Sequence, residues 1–280
     1  AWLDGQSLRT YRHAPNAGSR KSWAAGDATS RGVRLAMITM SGEMGYPGAL
    51  SAPIWGFEDV LFKGDSLSLP QPFETYVMEN ILFKISFPAE FHAQTAVEAA
   101  VSLHSGIKDR INEIESIEIT THESAIRIIS KVGELNNPAD RDHCLQYMVA
   151  IGLLKGNLVA EDYEDDVAKD PRVDELREKM IINEDKRYSK EYLEADKRSI
   201  ANRIKVHFKD GTATNEVEVE YPIGHRRRRK EGIPILEKKF KDNLSITYDE
   251  SKSNEIFELC MNQRKLEETS VADFQQLLSK

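Results

Sequence analysis

The chain reads as an α+β protein, mainly helical, in which a mixed α+β block is flanked by helical sequence on both sides. Three observations predict this. Apolar positions recur at helical spacing through Val33, Leu35, Ala36, Met37 and Met40, and again through Phe91, Ala96, Val97, Ala100, Val101 and Leu103. Residues 114 to 121 alternate instead, with Ile117 and Ile119 set among polar neighbours. Two further alternating runs, 204 to 208 and 216 to 221, flank Lys209-Asp210-Gly211-Thr212 as strands flank a hairpin turn. Helical spacing then resumes to the end, so the order of blocks is that of an insertion.

In chain order, residues 24 to 42 form one helix, stopped by Gly42 and Gly45, and Tyr46-Pro47-Gly48 turns the chain. Short helices are expected within 48 to 63, a loop from 63 to 72, and a helix over 73 to 80. Residues 84 to 88 are extended because the residue before Pro88 avoids the helical region. A helix over 90 to 104 precedes the strand at 114 to 121, and a short helix at 123 to 131 follows it. Asn137-Pro138 breaks the chain before an amphipathic helix from Asp140 to Leu154, closed by Gly156. Helices are predicted at 160 to 169, 172 to 180, 231 to 242, 252 to 266 and 271 to 279, the last capped by Ser270.

Composition narrows the class of function. With 40% hydrophobic and 30% charged residues the chain reads as globular, without an apolar run near the roughly 18 residues of a membrane span. No charged-then-apolar leader opens it. Its two cysteines, Cys144 and Cys260, do not make a disulfide scaffold and suit a reducing compartment. They are also too few to hold the iron–sulfur cluster of an aconitase-type hydratase. Without CxxC, HExxH, Walker A or GxGxxG patterns, the expected chemistry uses ordinary acid, base and hydrogen-bonding groups, with no cofactor and no metal from these residues.

Charge is unevenly placed. The whole chain carries −8, yet from Arg9 to Arg34 it has Arg9, Arg12, Arg20, Lys21, Arg31 and Arg34 against Asp27 alone. A cationic island in an acidic protein suits an anion, and Arg20 and Lys21 fall just before a helix start, where free N–H groups favour negative charge. The run Arg226 to Lys230 lacks interleaved aromatics and reads as a solvated or ion-paired segment rather than a nucleic-acid site. Asp165 and Asp166 read as a solvated acidic helix, not a calcium loop.

The segments RKSWAAGDATSRGVRLA, GEMGYPGAL, WGFEDVLFKG, YVMENILFKISFPAEFHAQTAVEAA, NNPADRDHCLQYMVA, EDYEDDVAKDPRVDELREK, RSIANRIKV and VEYPIGHRRRR together resemble the PrpD branch of the MmgE/PrpD family, in order from Trp2 to about Lys241. The resemblance is to roughly the C-terminal half of such proteins, so the chain, which begins at Ala1, is expected to be a fragment, a processed chain or an incomplete sequence. It implies a helical domain built from 1–80 and 225–280, with a smaller α+β lid inserted over 81–224 and the active site between them. It implies a hydro-lyase that dehydrates 2-methylcitrate to 2-methyl-cis-aconitate by metal-independent acid/base chemistry. The expected partner is a small tricarboxylate substrate, with a homodimer in the longer parent, no nucleic acid and no membrane, in the cytoplasm or the mitochondrial matrix. The competing readings are a family member of the cis-aconitate decarboxylase or amino-dicarboxylate epimerase type, since fold does not fix chemistry, and a non-catalytic fragment or accessory subunit.

Dehydrating a tertiary alcohol flanked by carboxylates needs cations for the carboxylates, a base for a carbon-bound proton and an acid for the departing hydroxyl. Lys21 matches a lysine that enters the active site in similar proteins, with Arg20 and Arg31 as further substrate-binding cations. Lys84 lies at the expected crossing from helical domain to lid, where the resemblance implies a lysine directed into the cleft. His92, four residues after Pro88, is the histidine expected to titrate there. The resemblance implies that Tyr147 faces the substrate, with its hydroxyl as a donor. His143, one turn before it, and Arg141 are weaker candidates.

Overall fold

The alternation around Ile117 and Ile119 becomes the inner strand of a four-stranded sheet. The computed structural model describes residues 18, 23–69, 72 and 81–279. In chain order these give α1 (Trp23–Met40), α2 (Phe57–Phe62), α3 (Gln94–Ile107), β1 (Ile114–Thr121), α4 (Glu123–Ile129), α5 (Leu145–Lys155), α6 (Pro171–Glu178) and β2 (Met180–Glu184). There follow α7 (Lys186–Leu193), β3 (Asn202–Phe208), β4 (Val217–Val219), α8 (Arg229–Thr247), α9 (Glu250–Met261), α10 (Gln263–Glu268) and α11 (Val271–Leu278), with shorter helical turns between elements. Helix predominates, so the class is α+β, mainly helical. No helix among the described residues is long and apolar enough to cross a membrane.

The sheet order is β2-β1-β3-β4. β1 pairs with β2 in parallel, Ile117 opposite Met180 and Ile119 opposite Ile182. Parallel neighbours need a long crossover, and α4 to α6 provide it. β3 runs antiparallel to both β1 and β4, so the expected hairpin is present. The buried set Asn202, Ile204, Val206 and Phe208 falls on one face of β3, as strand alternation requires. Against that face lies α3, and α5 packs on α3 in turn. Ala96, Ala99 and Ala100 keep α3 thin, and a Cβ on Gly152 would stand 2.9 Å from the Ala100 Cβ, so the two helices meet at van der Waals range.

Several expected elements are redrawn. The helix foreseen from Asp140 to Leu154 is a single turn, Pro138–Arg141, capped by the Asn137 side chain, and then α5. Cys144, with φ −119° and ψ 109°, is the extended residue that separates them. Nor is α5 amphipathic, because every residue from Leu145 to Leu153 is buried. The foreseen helix 160 to 169 is two turns parted by extended Glu164. The foreseen helix 172 to 180 ends at Glu178, and Met180 opens β2, a strand absent from the sequence reading. Residues 252 to 266 divide at Asn262, whose side chain accepts from Lys265 N and starts α10. Ser270 caps α11 as expected, whereas the helix over 73 to 80 lies outside the described residues.

The chain enters and leaves the sheet-bearing block along one seam. Phe83 N donates to Gly224 O at 3.3 Å, Arg229 donates to Ile81 O at 3.1 Å, and Lys239 Nζ reaches Lys84 O at 2.9 Å and Ile85 O at 3.2 Å. Gly224 has φ +101°, and a Cβ there would lie 2.1 Å from Phe83 O. Only glycine fits both the angle and the approach. The basic run is part of this seam. Arg226 and Arg227 both donate to Asp196 O, while Arg228 pairs with Glu98 and Glu231 and donates to Tyr221 O. Arg228 is ion-paired, as one of the two expected states had it, and donors of Arg226, Arg227, Arg228 and Arg229 also serve backbone carbonyls.

Candidate active site

Glu90 begins the site. It caps the turn Phe91–Ala93, accepting from His92 N at 2.8 Å, and both its oxygens lie 3.0 Å from His92 Nδ1. The turn is fixed from behind by Gln94, whose amide donates to Phe87 O and Ala89 O, and by Asn202, whose amide donates to His92 O at 2.9 Å. A carboxylate can only accept, so Nδ1 carries the proton in the neutral ring and Nε2 is left as an acceptor. Nε2 faces the Tyr192 hydroxyl at 3.2 Å. The result is a chain of carboxylate, imidazole and phenol.

A second histidine backs this chain. His122, the residue after β1, is fully buried and stacks on Tyr192 with ring centroids 4.7 Å apart, 5.2 Å from the His92 ring. Burial, helped by the charge of His92, pushes its pKa down to about 4, so it stays neutral near pH 7. Burial alone would raise Glu90. The hydrogen bonds and charge of His92, with the charge of His143 beyond, outweigh it and hold the carboxyl below its ordinary range. The Tyr192 phenol is held above its ordinary pKa, first by burial and then by the charge of Glu90. These groups can move a proton along a line while keeping Glu90 ionised. Among the described residues no three His, Cys, Asp or Glu side chains are placed to share a metal ion.

Of the residues singled out from sequence, His92 stands at the centre, and His143, bonded through Nδ1 to Asp142 at 2.7 Å, is close enough for Glu90 to feel its charge. Lys84 is exposed on the seam, its carbonyl held by Lys239, and no hydrogen bond or ion pair among the described residues joins it to the His92 cluster. Tyr147 is 2% exposed, its hydroxyl donates to Asp162 O at 2.6 Å, and burial raises its pKa to about 12, so among the described residues it packs within the core. The reason is the two-sided burial of α5. Arg141 is likewise enclosed, donating to Tyr163 O and pairing with Asp165. Arg31 pairs with Asp27 one turn away on the exposed face of α1. Arg20 and Lys21 lie outside the described residues.

Glu90, His122 and Tyr192 were missed. The pattern Glu90-Phe91-His92 after Pro88 is a legible signal, an acceptor two residues before a histidine at a turn. For Tyr192, one hundred residues from His92, the sequence offers none.

Comparison with known proteins bears on both halves of the chain. The model of the MmgE/PrpD C-terminal domain matches residues 87–263, and that of the MmgE/PrpD N-terminal domain matches residues 1–70. The 2-methylcitrate dehydratase of Escherichia coli is 58% identical over 277 residues, 98% of this chain and 57% of that protein. The mitochondrial 2-methylcitrate dehydratase of Yarrowia lipolytica is 58% identical over 259 residues, 91% of this chain and 50% of that protein. The 2-methylcitrate dehydratase-like protein oryR of Aspergillus oryzae is 43% identical over 98% of this chain and 56% of that protein. The chain thus spans little more than half the length of the curated relatives it matches. With both domains of one family laid along it in order, and the larger match enclosing the sheet, α3, α5 and the His92 cluster, the chain belongs to the MmgE/PrpD family.

Proposed function

We propose that this chain contributes to a hydro-lyase that dehydrates 2-methylcitrate to 2-methyl-cis-aconitate by acid/base chemistry without a metal. The observation that carries the reading is the 58% identity to proteins named for that reaction, over a stretch that includes an ionised carboxylate holding an imidazole in one tautomer. In this account His92, oriented by Glu90, takes the carbon-bound proton, directly or through a neighbour. Lys21, Arg20 and Lys84 hold the carboxylates and offset the charge that develops next to them, with His143 as a further substrate contact. The cleft lies between a helical domain made from 1–80 and 225–280 and a lid spanning 81–224. The seam that binds 81–85 to 224–239 supports this arrangement, since an inserted domain must leave close to where it enters. The working assembly is a homodimer in the cytoplasm or, in a eukaryotic source, the mitochondrial matrix.

The test joins the chain to the N-terminal part of the Escherichia coli relative and follows the absorbance of the conjugated product from 2-methylcitrate, beside the chain alone. The joined protein is expected to turn over and to keep its rate in chelator, with the chain alone nearly inactive because helical-domain groups are wanting from its cleft. Loss of rate in chelator with rescue by iron contradicts the acid/base route. Turnover of cis-aconitate in place of 2-methylcitrate assigns the decarboxylase reading instead.

A further inference from the structure

We propose that Tyr192 is the catalytic residue through which the Glu90–His92 pair acts, its hydroxyl exchanging the proton with the substrate while His92 stays one bond behind. This rests on the reading that the His92 cluster meets a tricarboxylate. The geometry favours it in three ways. His92 is 7% exposed, with both ring nitrogens already engaged, by Glu90 at 3.0 Å and by Tyr192 at 3.2 Å, so it offers no free lone pair to a ligand. Tyr192 is half-buried at the C-terminal end of α7, less enclosed than His92 and His122, which are both buried. Two guanidinium groups, Arg198 and Arg127, exert their charge on its hydroxyl; both side chains are exposed, Arg127 being paired with Glu123 at 3.8 Å, which leaves Arg198 as the better placed to receive a carboxylate. Arg198 also sits at φ +47°, an unusual angle for a residue with a Cβ and one that the surrounding turn must maintain.

The step balances as a triad with phenol in the nucleophile's place. The substrate's carbon-bound proton moves to the Tyr192 oxygen as the Tyr192 proton moves to His92 Nε2, and Glu90 stabilises the imidazolium through Nδ1–H. The electron pair of the broken C–H bond forms the double bond, and the C–O bond breaks. The hydroxide leaves as water with a proton from Tyr192, and His92 returns its own to the phenol. No oxidant or second reactant is needed. His122 serves as an uncharged plate against the phenol ring, holding it in register without competing for the proton.

The experiment uses the 280-residue chain with ¹⁵N-labelled histidine, as wild type, Tyr192→Phe and, for control, Tyr46→Phe. Tyr192→Phe removes one oxygen and leaves the ring stack. The His92 Nε2 resonance is expected to move in Tyr192→Phe and to stay put in Tyr46→Phe. Titrated 2-methylcitrate should shift that resonance in wild type, and the shift should vanish in Tyr192→Phe. Affinity by calorimetry should fall no more than about tenfold, the worth of one hydrogen bond. An Nε2 resonance indifferent to Tyr192→Phe, or a ligand shift of equal size in both proteins, overturns the proposal. If 2-methylcitrate does not bind wild type, the parent reading fails for this chain, and the relay is then judged on the first comparison alone.

Discussion

Residues 23–69 are richer in apolar side chains than the block from 85 to 225, and the two regions treat them in opposite ways. In α1 no residue is buried, and Trp23, Met37 and Met40 are 63%, 66% and 87% exposed. Trp55, just before α2, and Leu61 and Phe62 within it are exposed as well. In α5, by contrast, nine successive residues are buried, with α3 on one side and α6 beyond. The lesson is that the second region is a finished core and the first is half of one. A surface this apolar calls for a covering partner, and the relatives carry a further two-fifths or so of chain beyond the matched span.

The largest break in that contrast is expected in the core. Ile151→Ala should destabilise by about 2–5 kcal/mol in urea melts, because α5 has no free side on which to collapse. Gly224→Ala should match it, since a Cβ 2.1 Å from Phe83 O forces the seam apart. A smaller effect is expected from pH. His122 has its folded pKa depressed to about 4 from 6.5, so the unfolded state binds the proton more readily. Its contribution is whole above pH 6.5 and lost as pH falls towards 4, amounting to about 3 kcal/mol. His225, enclosed and likewise about 4, first through burial and then through Arg226, Arg227 and Arg229, adds to the same slope. The urea midpoint of His122→Phe should show a shallower fall over that window than wild type. The smallest change in stability, within about 0.5 kcal/mol, is expected for Met37→Lys and Met40→Lys in α1. These variants should nevertheless reduce concentration-dependent association in sedimentation, which core substitutions do not.

The sequence was most legible where periodicity is local. β1 came out over the residues foreseen because Ile117 and Ile119 alternate within one strand, and the hairpin of β3 and β4 because Asp210-Gly211 marks its turn. Ser270 announced its cap through side-chain chemistry that needs only the next three residues. β2 escaped because Met180-Ile181-Ile182 is a short apolar run whose partner lies beyond three helices. α5 was legible as a helix but not as one enclosed on all sides, so the burial of Tyr147 within it was not legible either. At the site, His92 and His143 stood out as titratable side chains in suitable turns. Glu90 acts on a residue two positions away and its signal was there to be read, whereas His122 and Tyr192 gain their meaning from contacts across β1 and α7, which no window on the sequence spans.

The account turns on chemistry at His92, and the most direct measurement is the rate of 2-methylcitrate dehydration by the joined protein with His92→Asn, followed beside its melting temperature. A loss on the order of a hundredfold or more in kcat/KM is predicted, the usual worth of a positioned acid or base, with melting unchanged. A rate equal to wild type, in a variant that melts like wild type, would contradict the assignment.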